Sequence, residues 1–439
     1  MARFLIGTMP FVSHINPALP IARELVDRGH EVWWYTGQSF RARIEAVGAR
    51  YTPMRAATDF DDDTLDATFP RRKTLKGPAQ FKWSIKHIFM DAAPGQLQDI
   101  QQILREFPAD VLLAESTFGG AQFAYELGGP PWASFNILPM TIASRDAAPF
   151  GLGLPPSASN LGRLRNQSLH WLFNNVLFRD VVTHYRRVRR SVGLTSPAGV
   201  ADISPFLYLQ GGTPAFEYPR SDLPPQVHFV GPLLPEPPAR FTPPSWWPDL
   251  QAGRPVILVT QGTVATQSEQ LIVPTIEALA DLDVLVVATT GGKPVESVKL
   301  DMLPSNVRIE RFIPYHQLLP HVDVMVTNGG YGGVQLALAH GVPLVAAGET
   351  EEKPEICARI AWAGVGINLK TKSPGPAQVR MAVNTLLRDP SYRQRAQAIQ
   401  ADFAQHNAPC EAAELLEQLA ASRQPVLRAR PVAAALAVG

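Results

Sequence analysis

Cysteine is nearly absent from this chain: Cys357 and Cys410 are the only two in 439 residues. Two thiols cannot build a disulfide framework, and such sparse usage fits a reducing cytoplasm, which is the expected location. A surplus of either charge is missing as well. The net charge is +1, so the chain offers no electrostatic footprint for nucleic acid or for a strongly acidic partner. No apolar run reaches the ~20 residues that a membrane span requires, and membrane association is expected to be peripheral at most. The opening Met1-Ala2-Arg3-Phe4-Leu5-Ile6-Gly7 is apolar but soon meets Pro10, His14 and Asn16; it reads as a first strand, not a signal peptide. No zinc-ligand spacing occurs. Neither half carries Gly-x-Gly-x-x-Gly after its first strand. The loop Gly7-Thr8-Met9-Pro10-Phe11-Val12 therefore argues against a dinucleotide cofactor.

What is present is an ordinary globular composition, 46% hydrophobic and 18% charged. The length is too great for one ordinary core and suggests two domains. In the first half, candidate strands read at Phe4–Thr8, Glu31–Tyr35, Asp110–Ala114 and Trp132–Phe135. Between the first two, Ile15, Leu19, Ala22, Leu25 and Val26 recur at helical spacing, and Gly29 closes the helix. The second half repeats the design, with strands at Val256–Thr260, Val284–Thr289, Val307–Phe312, Val322–Val326 and Leu344–Ala347. Strands alternating with helices mean βαβ units and parallel sheets. The expected fold is α/β: two facing, doubly wound, Rossmann-like parallel-sheet domains. Residues 1–235 form the first, a proline-rich linker spans 236–253, and 254–405 form the second. A C-terminal helix over 391–422 is expected to pack back on the first domain, with a disordered tail over 423–439. A long amphipathic stretch, Leu164 to Val192, precedes the linker; Arg186, Arg187, Arg189 and Arg190 read there as a solvated helix face.

The segment richest in chemical meaning is Val324-Met325-Val326-Thr327-Asn328-Gly329-Gly330-Tyr331-Gly332-Gly333-Val334-Gln335. An apolar strand ends in a loop of glycines and a helix follows. Glycine lets the backbone approach a ligand closely, and the first N–H groups of the helix point at whatever is bound. A diphosphate suits both features. Facing domains would place the carboxyl ends of both sheets at a shared cleft, where ligands of open α/β sheets bind. There the first loop of the second domain, Gln261-Gly262-Thr263, supplies a further phosphate contact or merely a turn.

Phe11-Val12-Ser13-His14-Ile15-Asn16-Pro17, the strand entry Arg28-Gly29-His30, Gln261-Gly262-Thr263, Phe312-Ile313-Pro314, and the Asn-Gly-Gly loop running into Gly341-Val342-Pro343 occur in that order. In them the chain resembles family 1 glycosyltransferases of the bacterial macrolide-glycosyltransferase type, and is similar to UDP-glycosyltransferases in its donor motif. The resemblance reaches to about Leu419 and implies the GT-B architecture. It also implies that His14 is the base that deprotonates the acceptor hydroxyl, with Glu115 where the family has an aspartate that orients the imidazole. Phe312 stands where a tryptophan stacks on the donor base, Ile313 would bond the base edge through its backbone, and Tyr315 replaces a glutamine. Asn328 stands where histidine more often faces the diphosphate, so the amides of Gly330, Gly332 and Gly333, with Gly262 and Thr263, would have to supply more of the charge stabilisation. The glutamate that grips the ribose aligns with Leu336, leaving Gln335 as the nearest polar candidate. The Asp-Gln pair that holds the sugar aligns with Glu352-Lys353, within the acidic run Glu349 to Glu355.

The implied activity is inverting, metal-independent transfer of a hexose from a nucleotide diphosphate sugar to a hydroxyl of a lipophilic small molecule. UDP-glucose is the expected donor and a dTDP-sugar the alternative, as co-substrate; no cofactor and no metal ligand are expected. No Asp-x-Asp metal motif is expected, in keeping with a metal-independent mechanism. The acceptor loops, roughly Thr58–Ile88 and Ile137–Ser168, offer Phe60, Phe69, Phe81, Trp83, Phe89, Met140, Phe150, Leu152 and Leu154 as an apolar lining. Two other classes share parts of the pattern. A sugar-nucleotide epimerase would use the same cleft but needs neither a base at His14 nor an apolar acceptor pocket. A non-catalytic nucleotide-sugar-binding or auxiliary protein would tolerate Asn328 and Leu336, whereas the retained His14 and Glu115 count against it. The sequence leaves the oligomeric state open.

Overall fold

The computed structural model describes residues 1–196, 199, 203–237, 240–262 and 267–429. Within them the strands, in chain order, are β1 (Arg3–Gly7), β2 (Glu31–Thr36), β3 (Arg50–Pro53), β4 (Val111–Glu115), β5 (Trp132–Asn136), β6 (Leu207–Gln210) and β7 (Val227–Phe229). They continue with β8 (Val256–Thr260), β9 (Leu285–Thr289), β10 (Val307–Glu310), β11 (Val324–Thr327), β12 (Leu344–Ala346) and β13 (Gly366–Asn368). They make two sheets, ordered β3-β2-β1-β4-β5-β6-β7 and β10-β9-β8-β11-β12-β13, and every pairing is parallel. Both are the doubly wound order with its reversal beside the first strand. This puts the loops after β1 and β4, and after β8 and β11, at the switch points.

Valine, isoleucine and leucine dominate β1, β4, β8, β9 and β11, whose residues are almost wholly buried because helices cover both faces. The helices Leu19–Asp27 and Ala408–Ser422 lie together on one face of the first sheet, with Ile21, Leu25, Ala412, Leu416 and Leu419 in one core. The expected helix over 391–422 is in fact two. Pro390–Phe403 packs Ala396, Ile399 and Phe403 into the second core, the chain turns at 404–407, and only Ala408–Ser422 reaches the first. Gly231, with φ +83°, meets this crossover: a Cβ there would lie 2.4 Å from His406 Cβ. The two chain passages between the sheets thus touch each other.

Three expectations need correction. The stretch Leu164–Val192 is not one helix but Asn160–Leu172 and Arg179–Ser191 around a π-helical turn at Phe173–Leu177. Arg189 is not on a solvated face; it is buried and forks onto Glu126 at 2.8 and 2.6 Å, whereas Arg186, Arg187 and Arg190 are exposed. Residues 423–429 are not a loose tail. Val426 is buried and donates its N–H to Phe206, and its carbonyl bonds His228; residues 430–439 lie outside the described ones. Among the described residues no helix is long and apolar enough to cross a membrane.

Candidate active site

His14 is the third residue of the single turn Val12–Ile15 that follows β1. Asp62 holds this turn by accepting the Val12 N–H at 2.8 Å. β4 runs parallel to β1 and ends in Glu115, so the two loops lie side by side, and His14 Nδ1 sits 3.0 Å from Glu115 Oε1. Glu115 is completely enclosed. Its Oε1 also accepts from Thr117 Oγ1 at 2.6 Å and from the Met9 N–H at 3.4 Å, and its Oε2 accepts from the Thr117 N–H at 2.7 Å. Burial by itself raises this carboxyl, but the charge of His14 and the bonds from His14 and Thr117 outweigh it and hold the group below its ordinary value. A carboxylate only accepts hydrogen bonds. Nδ1 must therefore carry the proton of the neutral ring, which leaves the lone pair on Nε2.

Aromatic rings flank that imidazole. Phe89 lies nearly parallel to it with centroids 6.2 Å apart, and Phe11 is at 5.1 Å. Phe11, Phe60, Phe69 and Trp83 continue edge to face as a wall. Of the residues expected to line an acceptor pocket, Met140 does not: it is buried in a small core with Tyr208 and Val227. Phe81, Leu152 and Leu154 are exposed.

Across the cleft, the loops after β8 and β11 are tied together, because the Asn328 side-chain amide donates to the Gln261 carbonyl. Gly262 and Gly329 both adopt positive φ, +77° and +85°, and a Cβ on Gly329 would sit 2.8 Å from Cys357 Sγ. Glycine is required there for the strand to turn against the helix Lys353–Trp362. Gly330 caps the helix Tyr331–Ala339. Gly332 is exposed on its first turn, with nothing within 4 Å of a hypothetical Cβ, and Gly333 meets only Met325 at 3.7 Å. A side chain could thus be added at Gly332 without meeting the protein itself. Thr263 lies outside the described residues.

Phe312 falls just past β10, with Ile313 buried behind it, and is 72% exposed. Tyr315 turns its hydroxyl towards Thr289 Oγ1, 3.4 Å away at the end of β9. Gln335 departs from its expected place. It is buried and donates to the Gly211 carbonyl of the first domain at 3.0 Å, next to the Tyr331 hydroxyl, which does the same at 3.2 Å. Both side chains belong to the contact between domains, not to an open ribose site.

Glu351 has φ +57°, a strained value for a non-glycine residue, and its side chain pairs with the buried Lys353 ammonium. Burial raises the neighbouring Glu352 carboxyl, against the pull of Lys353 and of His14 from the other domain.

Sequence patterns gave no sign of the clamp beside them. Arg359, enclosed by protein, donates Nε and Nη2 to Glu217 Oε1 at 2.9 and 2.7 Å and Nη1 to Glu355 Oε2 at 2.8 Å. Its guanidinium stacks 4.1 Å from the Tyr218 ring centre. Glu355 Oε1 accepts the N–H groups of Gly151 and Gly153 at 2.9 and 2.7 Å. The Glu355/Arg359 spacing of four residues on a helix was the only available signal; the partner Glu217 is remote in sequence.

Literal Asp-x-Asp triplets do occur outside the donor segments, at Asp59-Phe60-Asp61, Asp61-Asp62-Asp63 and Asp281-Leu282-Asp283. Their carboxylates are used locally: Asp59 takes the Gln38 N–H, Asp61 the N–H groups of Asp63 and Thr64, and Asp281 pairs with Arg380.

Residues 274–419 match the family described as the C-terminal domain of erythromycin biosynthesis protein CIII-like proteins. The chain is 49% identical to 4'-demethylrebeccamycin synthase of Lentzea aerocolonigenes, over 95% of its own length and 99% of the relative's. It is 34% identical to UDP-glucosyltransferase A1 of Starmerella bombicola, over 94% and 91% of the two chains. Among solved structures, the glycotransferase of kitacinnamycin superposes with a TM-score of 0.73 at 24% identity, covering 95% of this chain and 98% of that one; this likeness speaks for the fold.

Proposed function

The chain belongs to the glycosyltransferases of the macrolide and UDP-glycosyltransferase type, enzymes with nucleotide-sugar donors, and from that premise we propose an inverting, metal-independent hexosyl transfer to a hydroxyl of a lipophilic small molecule. The observation that carries this reading is the His14–Glu115 pair at 3.0 Å, held by the neighbouring loops at the carboxyl ends of the parallel strands β1 and β4. In the proposed step, His14 Nε2 takes the proton of the acceptor hydroxyl. The freed oxygen bonds to the anomeric carbon from the face opposite the diphosphate. The anomeric carbon–oxygen bond breaks and its electron pair leaves on the diphosphate, which the N–H groups around Gly330, Gly332 and Gly333 receive. The dipole of the helix Tyr331–Ala339 takes the part that a cation would otherwise play. Glu115 balances the imidazolium that forms.

Phe312, exposed just past the carboxyl end of β10, suits stacking on the donor base, with Ile313 buried beside it. Glu352 and Lys353 are the proposed sugar contacts. The wall of Phe11, Phe60, Phe69, Phe89 and Trp83 favours a lipophilic acceptor. UDP-glucose is the proposed donor, in keeping with the named activity of the Starmerella relative.

A matrix of UDP- and dTDP-sugars against phenolic, steroidal and macrolide alcohols, read by mass spectrometry, tests the donor and acceptor classes. The anomeric configuration of the product, read by NMR, tests inversion. His14→Ala is expected to lower kcat by about 10²–10⁴-fold with donor affinity unchanged. Near wild-type turnover of that variant on an unactivated alcohol would overturn the assignment of the base, and a retained anomeric configuration would overturn the single displacement.

A further inference from the structure

Behind the aromatic wall of Trp83 and Phe89, two helical segments bring three ligand-bearing side chains together. His87 lies in the π-helical turn Ile85–Met90, Asp91 follows that turn, and His184 lies in the helix Arg179–Ser191. His87 Nδ1 is 2.8 Å from Asp91 Oδ2, and His184 Nε2 is 2.6 Å from Asp91 Oδ1. The three ligand atoms all lie within 4.8 Å of one another. Trp83 covers one side of the His87 ring at 4.9 Å, and the His184 ring meets it edge to face at 5.2 Å. The side chains of His87 and Asp91 remain 35% and 40% exposed, which leaves a path for an ion and room for water as a further ligand.

We infer that His87, Asp91 and His184 bind a divalent transition-metal ion, with Zn²⁺ the best match. Two imidazole nitrogens and one carboxylate form a borderline donor set that suits zinc, whereas calcium and magnesium require oxygen ligands. Zinc–nitrogen and zinc–oxygen bonds of about 2.0–2.2 Å in a tetrahedron set the ligand atoms about 3.3 Å apart. The 2.8 and 2.6 Å contacts to Asp91 must therefore open by about 0.5 and 0.7 Å, and the wider separations within the 4.8 Å cluster must close, which the part-exposed Asp91 and His87 side chains can accommodate by rotation. A second feature points the same way. A π-helical turn is a costly departure from the α-helix and recurs at functional sites; here it carries His87 and leads directly into Asp91.

The surroundings set an upper limit on affinity. Lys82 and Lys86 share Asp180 at 3.0 and 2.9 Å, and Arg179 and Arg187 are exposed on the helix of His184. This net positive field opposes a cation, so the expected affinity is micromolar, not the nanomolar affinity of a closed site. The ion would staple the helix Arg179–Ser191 to the turn carrying Phe89, two residues from His87, which lies against the His14 ring. Metal binding is independent of the glycosyl-transfer reading and is tested without it.

The test is calorimetric titration of Zn²⁺ into the tag-free, chelator-dialysed full chain, with His184→Ala and Asp91→Asn alongside and Mg²⁺ as a control. One Zn²⁺ per chain should bind the wild type, Mg²⁺ should not, and each substitution should weaken Zn²⁺ by at least about tenfold. Co²⁺ added in place of Zn²⁺ should give the intense visible bands of a four-coordinate site, and these should vanish in His184→Ala; circular dichroism checks that both variants fold. Absence of saturable Zn²⁺ binding, or binding undiminished in His184→Ala, overturns the site, the latter because the ion is then held elsewhere.

Discussion

Replacing Glu115 by glutamine removes one charge and almost no volume, and the hydrogen bonds around it predict the consequence. Glu115 accepts four bonds: from His14 Nδ1, Thr117 Oγ1 and Met9 N–H on one oxygen, and from Thr117 N–H on the other. An amide has one acceptor and one donor end. With its oxygen towards His14, its NH₂ opposes the Thr117 N–H at a site built for 2.7 Å. With its NH₂ towards His14, Nδ1 must become an acceptor, the proton moves to Nε2, and the ring loses the lone pair that the acceptor hydroxyl needs. Either way the imidazolium formed in the transition state loses its buried counter-charge. A hydrogen bond to a charged group is worth about 1.5–3 kcal/mol, which corresponds to about a 10- to 150-fold fall in kcat. The loss should be smaller than that of His14→Ala, and donor KM should hardly move. Steady-state rates with phenols of graded acidity provide the assay. An acidic phenol ionises with little help, so the penalty of Glu115→Gln should shrink along the series. A penalty that is the same for an acidic phenol and an alkyl alcohol would show that Glu115 does not act through the base.

Gly332→Val should leave the melting temperature close to wild type, because space around its Cβ is open, yet abolish UDP binding in calorimetry by covering the first helical turn; unchanged affinity would contradict the placement of the diphosphate. Gly231→Ala forces a side chain into φ +83° and against His406, so urea unfolding should show a loss of at least about 1–2 kcal/mol. Acid should weaken the fold in a predictable sense. Burial raises Glu115 and Glu217, but His14 for the one, and Arg359 and Arg220 for the other, bring both below their ordinary values. Their stabilisation is therefore complete above the ordinary carboxylate range and disappears as pH falls through their folded-state values. Urea midpoints should be flat from neutral pH down to that range and drop below it, and Glu217→Gln should blunt the drop.

The sequence revealed most of the elements that are buried on both faces; β6, interior and buried throughout, escaped because it is only four residues long and ends in Gln210. β1, β4, β8, β9 and β11 are continuous apolar runs, and parallel strands covered by helices must be. β3, Arg50-Tyr51-Thr52-Pro53, and β13, Gly366-Ile367-Asn368, are edge strands with polar or proline ends, so no such run marks them. Local order also made visible the glycine loop with its helix, and His14, because each depends on adjacent residues. The Asn328 bond to Gln261, the Gln335 bond to Gly211 and the Glu217–Arg359 pair join residues from 67 to 142 positions apart. Nothing in a spacing pattern encodes such pairings; neighbouring loops of one sheet decide the first, and the packing of one domain against the other decides the remaining two.

That packing has a consequence for specificity. Glu355 holds the N–H groups of Gly151 and Gly153 on one carboxylate oxygen and Arg359 on the other. Leu152 and Leu154, expected to meet the acceptor, alternate with those glycines, while Glu352 and Lys353, the proposed sugar contacts, are separated from Glu355 only by Pro354. A single buried carboxylate thus fixes the loop proposed to meet the acceptor to the loop proposed to hold the sugar. Removing Arg359 would leave Glu217 and Glu355 buried with less compensation, and breaking a buried pair in this way costs about 3–5 kcal/mol. Arg359→Met should therefore destabilise the chain in urea and, in whatever fraction remains folded, raise the KM values for donor and acceptor together. A rise confined to one substrate would mean that the two loops move independently and that Glu355 does not couple them.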